Sequence, residues 1–221
     1  MKHMNIRATF LSPDQWVAID NRVKRVDEDR WLSSRYATKA HRAQLIALYA
    51  FVYELARVRT VVTEPALGAI RFQWWRDALD EIEKGQAPRQ HDVVRAIAEV
   101  CLPLERIRQL IDGYESAFEV GDRSIEPEGR LMLLACDLLD EDETKNWAEQ
   151  AQRLGTIFAM SRRLPADHGH DVPPLEQFQI PASLRGAAAH CVLARAYIDG
   201  VEPGPLRKRW AVFRTVMHGR V

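Results

Sequence analysis

The sequence predicts an all-α fold, and three observations predict it. Apolar residues recur at three- and four-residue spacing over most of the chain, helix start and stop signals separate those stretches, and no convincing segment alternates apolar with polar residues as a half-buried strand does. With 221 residues the chain can bury one sizeable core, so a single helical domain over 1–221 is expected.

The elements follow in order. Ser12-Pro13-Asp14-Gln15 combines an N-cap serine, proline at the first helical position and a capping-box glutamine, opening a polar first helix that runs to about Arg25. Lys39 to Arg57 is a second helix, so apolar in its middle that it belongs at the centre of a bundle. Thr63-Glu64-Pro65 restarts the chain, Leu67, Ile70, Trp74, Ala78 and Ile82 recur at helical spacing, and Gly85 ends that helix. Val93 to Val100 is a short helix. Pro103 opens the next, whose buried stripe is Leu104, Ile107, Ile111, Tyr114 and Phe118, and Gly121 stops it. Leu131 to Leu139 is leucine-dense. Asp142 caps a further helix with Trp147, Ala151, Leu154 and Phe158 on one face. Prolines 165, 173, 174 and 181 with Gly169 mark one long irregular connection. Ala187 to Asp199 is helical again, Glu202-Pro203-Gly204-Pro205 breaks it, and a basic helix closes the sequence.

Composition excludes several function classes. Lys plus Arg and Asp plus Glu both number 31, so no global field points to nucleic acid, and none is expected as a partner. Cys101, Cys136 and Cys191 are odd in number, far apart and without CxxC or Cys/His spacing; they argue for a reducing compartment and read as small core residues rather than zinc ligands. MKHMNIRATFLSPDQW lacks the apolar run of a secretory signal, and the longest apolar run, Leu45 to Tyr53, is far short of the roughly 20 residues that cross a bilayer. A cytoplasmic protein, at most peripheral on the inner membrane, is the expectation.

The most informative segment is Leu45 to Glu83, LIALYAFVYELARVRTVVTEPALGAIRFQWWRDALDEIE, which resembles the squalene/phytoene synthase family. In that family a segment like Leu48-Tyr49-Ala50-Phe51 runs into a DxxxD motif, and the resemblance places those aspartates at Ala56, or the adjacent Arg57, and at Thr60. Two carboxylates at i and i+4 share one helix face and can hold Mg2+ against a substrate diphosphate; alanine, arginine and threonine cannot. The second aspartate-rich motif falls at Ala166 and His170, again without carboxylates, although Asp167 and Asp171 stand one residue later. The resemblance implies the isoprenoid synthase helical fold. It is nearest a divergent branch that includes a mitochondrial complex I assembly factor, where the segment like Tyr53-Glu54-Leu55-Ala56 also lacks the aspartates. It therefore implies a non-catalytic protein, with respiratory complex I subunits or assembly intermediates as partners and no cofactor. The alternatives are a prenyltransferase joining isoprenoid diphosphates with Mg2+, or a binding protein that keeps the cavity for an isoprenoid or quinone.

Each candidate residue has a functional and a structural reading. Asp167, His168, His170 and Asp171 are either a displaced metal site or a solvated turn in a Pro- and Gly-rich connection, and the turn is the commoner outcome. Arg57, Arg59, Arg71 and Arg76 near the lost motif suit diphosphate oxygens; alternatively Arg71 and Arg76 are solvated or pair on the polar face with Asp77, Asp80 or Glu81. Glu54, inside the most apolar helix, requires a cationic partner such as Arg57 or an arginine of the next helix. Tyr49, Tyr53 and Trp75 line a cavity or fill the core; the other tryptophans, Trp16, Trp31, Trp74, Trp147 and Trp210, have the same two readings. In the closing helix Leu206, Trp210, Phe213 and Met217 share one face beside Arg207, Lys208, Arg209, Arg214 and Arg220. That pattern is either a helix lying on an anionic membrane, with Arg207, Lys208, Arg209, Trp210 and Phe213 as contacts, or an ordinary last helix docked on the bundle.

Overall fold

A computed structural model describes residues 9–62, 64–120, 126–163 and 178–221, so Ala166, Asp167, His168, His170, Asp171 and Gly121 lie outside the described residues. Among the described residues the fold is all-α. The only β-type pairing there is an isolated antiparallel bridge between Gln179 and Arg220.

Helix α1 (Pro13–Val26) begins with the expected capping box, Ser12 and Gln15 each satisfying the other's backbone N–H. Asp27 then caps a helix that periodicity does not reveal, α2 (Glu28–Ser34), whose seven residues are too few for a repeat to register. Helix α3 (Lys39–Val61) is capped by Thr38 and extends one turn beyond the expected end at Arg57; its run from Leu45 to Val52 is buried on every side, as the central helix of the bundle must be.

Helix α4 (Pro65–Glu83) corrects the expected stripe. Leu67, Ile70 and Trp74 are exposed; Ala78 is buried and Ile82 packs against the core as expected, but Gly68, Phe72, Trp75 and Leu79 complete the buried face, which is turned by roughly a quarter of the helix. Both faces are apolar, so periodicity cannot choose between them; contact with α3 and with α6 (Leu104–Glu119) does. Phe72 packs against Phe118 and Trp75 stands edge-on to Phe51 at 5.1 Å. Helix α5 (Asp92–Glu99) closes this side. Cys136 and Cys191 are buried as expected, whereas Cys101 is exposed in the turn after α5, with φ 53°.

Helices α7 (Glu126–Asp137) and α8 (Glu141–Arg163) form the most extensive helix pair. Gly155 makes their close approach possible, since a Cβ there would lie 2.5 Å from the Cβ of Met132 and 2.7 Å from the carbonyl oxygen of Glu128. The N-terminal cap of α8 is Asp140, which accepts from the Glu143 N–H at 3.0 Å, and not Asp142. The expected helix from Ala187 to Asp199 is divided into α9 (Arg185–Ala188), a 3-10 turn (Ala189–Leu193) and α10 (Ala194–Ile198). Helix α11 (Pro205–His218) ends at Gly219, which holds φ 76°. No helix among the described residues is long and apolar enough to cross a membrane.

Candidate functional site

Helices α1, α3, α6, α7 and α8 surround a cavity of about 220 Å3. Central helix α3 contributes Tyr49, Val52, Tyr53 and Ala56, one face of the helix at helical spacing. Asp27 and Arg30 enter from the α1–α2 junction, Tyr114 from α6, Glu128 and Leu131 from α7, and Phe158, Ala159, Arg162 and Arg163 from α8.

The polar wall is an ion-pair network. Arg30, 7 % exposed, donates through Nη1 to Asp27 Oδ2 at 2.6 Å and through Nη2 to Glu128 Oε2 at 2.7 Å. Glu128 Oε1 accepts from the Tyr114 hydroxyl at 3.2 Å and from Arg163; Asp27 Oδ1 accepts from Arg162 at 2.9 Å. Burial alone would raise both carboxyl pKa values. At Asp27 the charges of Arg30 and Arg162 outweigh it, and at Glu128 those of Arg30 and Arg163 do, so both acids are held below the ordinary carboxylate range and are ionised at neutral pH. Desolvation pushes the phenols of Tyr49 and Tyr114 well up, and both stay neutral. Arg30 also stacks over the rings of Phe158 and Tyr49 at 5.5 and 5.9 Å. His190, fully buried, stands edge-on to Phe158 at 4.6 Å with neither ring nitrogen hydrogen-bonded. Desolvation, followed by the charge of Arg30, lowers its pKa to about 3, so the ring is neutral.

The structure separates the residues that the sequence grouped. Ala56 does reach the cavity wall and presents a methyl group where the resemblance places a metal-binding carboxylate. Thr60 is exposed and its hydroxyl donates back to the Arg57 carbonyl at 2.9 Å. Arg57 turns to Glu54 at 3.2 Å; Glu54 is also paired with Arg22 of α1 at 3.4 Å, so the half-buried acid has the expected i+3 partner and a second one from α1. Tyr49 and Tyr53 line the cavity as expected. Glu54, Arg57, Arg71 and Trp75 instead line a separate surface hollow of about 270 Å3 with Trp74 and His91. Arg76 lines neither, and its partners are not the acids of its own helix but Asp112, at 2.6 Å, and Glu115 of α6. No tryptophan lines the central cavity. Lys208 does not face outward with its basic neighbours: it is buried against Asp29 at 3.1 Å.

The described residues do not suit Mg2+. The two carboxylates on the cavity come from separate segments, the cap between α1 and α2 and helix α7, and each already contacts two guanidinium groups whose charge repels a hard cation. Among the described residues no group of three or more His, Cys, Asp or Glu side chains could hold a metal ion. Sequence reasoning missed Asp27, Arg30, Tyr114, Glu128, Arg162 and Arg163 as site residues, and the signal for them was slight: a glutamate inside an apolar helix and an arginine pair one turn beyond Phe158.

Among protein families, the squalene/phytoene synthase model matches residues 23–172. No curated protein and no solved structure matches the chain. The matched span contains every helix around the cavity except most of α1, of which it takes only the last turn, and stops before α9, α10 and α11.

Proposed function

The chain belongs to the squalene/phytoene synthase family, and we propose that within it this protein binds and assembles rather than catalyses prenyl condensation. One observation carries the reading: Ala56 stands on the cavity wall, and among the described residues the carboxylates there, Asp27 and Glu128, are neutralised by Arg30, Arg162 and Arg163. Ionising a prenyl diphosphate requires divalent cations to take up the charge of the departing group, and these residues supply neither the ligands nor the local negative potential to hold them. The cavity, at about 220 Å3, also falls below the roughly 300–1,000 Å3 typical of sites for sizeable ligands, which weighs against retention of an isoprenoid or quinone.

The partner class comes from the resemblance of the Leu45 to Glu83 segment: subunits or assembly intermediates of respiratory complex I, met at the cytoplasmic face of the inner membrane. Two measurements test the reading. Purified protein with Mg2+ and farnesyl or geranylgeranyl diphosphate is expected to form no product above a no-protein control; chelator-sensitive turnover would falsify the non-catalytic assignment. Affinity capture from native membranes should enrich complex I subunits over other membrane complexes of similar abundance, and equal recovery of all of them removes the partner assignment.

A further inference from the structure

Helix α11 docks on the bundle by one face and leaves the opposite face uncovered. Lys208, Val212 and Thr215 are buried against α2 and the 3-10 turn before α10. Leu206, Trp210, Phe213 and Met217 fall within roughly a 60° sector on the far side of the helix. All four are exposed, Leu206 at 82 % and Trp210 at 64 %. Trp210 and Phe213 lie 5.9 Å apart, and exposed Tyr36 extends the patch from Phe213 at 6.5 Å. An apolar strip of this size, set directly opposite the docked face, contributes nothing to the fold of the chain that carries it.

The flanks give the strip its chemistry. Along one side runs a groove of about 580 Å3 between α10 and α11, lined by Arg195, Arg207 and Arg214 beside Trp210, with Asp199 its single acid. Among the described residues none of those three arginines forms an ion pair. Arg209 flanks the other side, 3.7 Å from Glu28. A ridge of large apolar side chains bordered by uncompensated guanidinium groups is complementary to the boundary between acyl chains and anionic headgroups.

We propose that this face of α11 seats the protein on an anionic phospholipid bilayer, with Leu206, Trp210, Phe213 and Met217 among the acyl chains and headgroup phosphates at Arg195, Arg207 and Arg214. The inference uses no residue of the central cavity, and the side chains assigned to acyl chains and phosphates all lie beyond the span matched to the family, so it stands or falls separately from the function proposed above.

The test is sedimentation of the full chain with vesicles of phosphatidylcholine alone and of phosphatidylcholine mixed with phosphatidylglycerol. Binding is expected to the anionic vesicles only and to weaken as salt is raised. Trp210→Ala and the double variant Arg207→Gln, Arg214→Gln should each weaken it about tenfold or more. All three side chains are exposed, so the melting temperature should not move, and a variant that does melt early is replaced by Leu206→Ser, at the most exposed position of the strip. Absence of binding to anionic vesicles, or binding that neither variant reduces, overturns the proposal. So does a concentration-dependent dimer in the absence of vesicles that Trp210→Ala returns to monomer, which would make the strip an interface between two copies of the chain.

Discussion

Arginines cluster with aromatic rings both around the central cavity and beside α11, and the partners of the two clusters differ. Around the central cavity each guanidinium that faces Asp27 or Glu128 is paired, and Arg30 is shared between both acids. On the outer side of α11, Arg195, Arg207 and Arg214 line a groove with no ion pair among the described residues. The paired set has spent its charge on holding helices together, whereas the unpaired set retains its field for something outside the chain. Residue type alone does not separate these roles; the presence of a carboxylate at contact distance does.

The largest effect expected from breaking this contrast is on the inner cluster. Arg30→Ala leaves Asp27 and Glu128 as buried acids with one fewer partner each, and should lower the unfolding free energy in urea by about 3–5 kcal/mol. Replacing the pair together, Arg30→Met with Glu128→Leu, should recover most of that loss, because the orphaned charge rather than the missing attraction is what costs stability. A loss below about 1 kcal/mol for the single variant would show that the network is not structural.

A smaller effect is expected on acidification. The folded-state pKa of His190 is lowered to about 3, so the unfolded chain binds a proton first, starting near the ordinary histidine value of 6.5. Its contribution is full above that value and is lost as the pH falls from about 6.5 towards 3, at roughly 1.4 kcal/mol per unit, or about 2 kcal/mol by pH 5. Asp27 and Glu128, whose folded pKa values are also depressed, add losses that begin only near the ordinary carboxylate range. His190→Leu should therefore flatten the stability profile between pH 6.5 and 5 and leave the steeper fall below it. An unchanged profile would mean that the ring is charged, or hydrated, inside the fold.

The smallest effect is expected on the outer cluster. Arg207→Gln and Arg214→Gln should each change stability by no more than about 0.5 kcal/mol, because neither side chain has an ion-pair partner among the described residues. A larger change would reveal an intramolecular role for the groove and erase the contrast.

Much of this fold could be read along the chain, because helix caps, apolar spacing and Pro or Gly stops are local signals. The boxed start of α1, the central position of α3 and the break before α11 rest on residues within a few positions of one another. The place where the resemblance puts the first aspartate pair could be read for the same reason, since Ala56 and Thr60 are four residues apart on one helix. What filled the space was not. Arg30 meets Glu128 across 98 positions and Arg162 meets Asp27 across 135, and only the packing of α2, α7 and α8 joins them. On α4 the choice between two apolar faces likewise belonged to the neighbouring helices.

Three consecutive residues of α2 make separate attachments. Glu28 meets Arg209 at 3.7 Å; Asp29 meets Lys208 at 3.1 Å and accepts from the Tyr197 hydroxyl at 2.6 Å; Arg30 meets Glu128 at 2.7 Å. Burial opposes the charge on Lys208, but hydrogen bonding to Tyr197 and the charge of Asp29 more than offset it, so the ammonium persists well into alkaline conditions. In mechanical terms, this single turn of helix is a rivet. A pull on α11 is carried through Lys208 to Asp29, crosses one peptide bond to Arg30, and reaches α7 through Glu128, so the outer plate and the inner frame bear load as one piece.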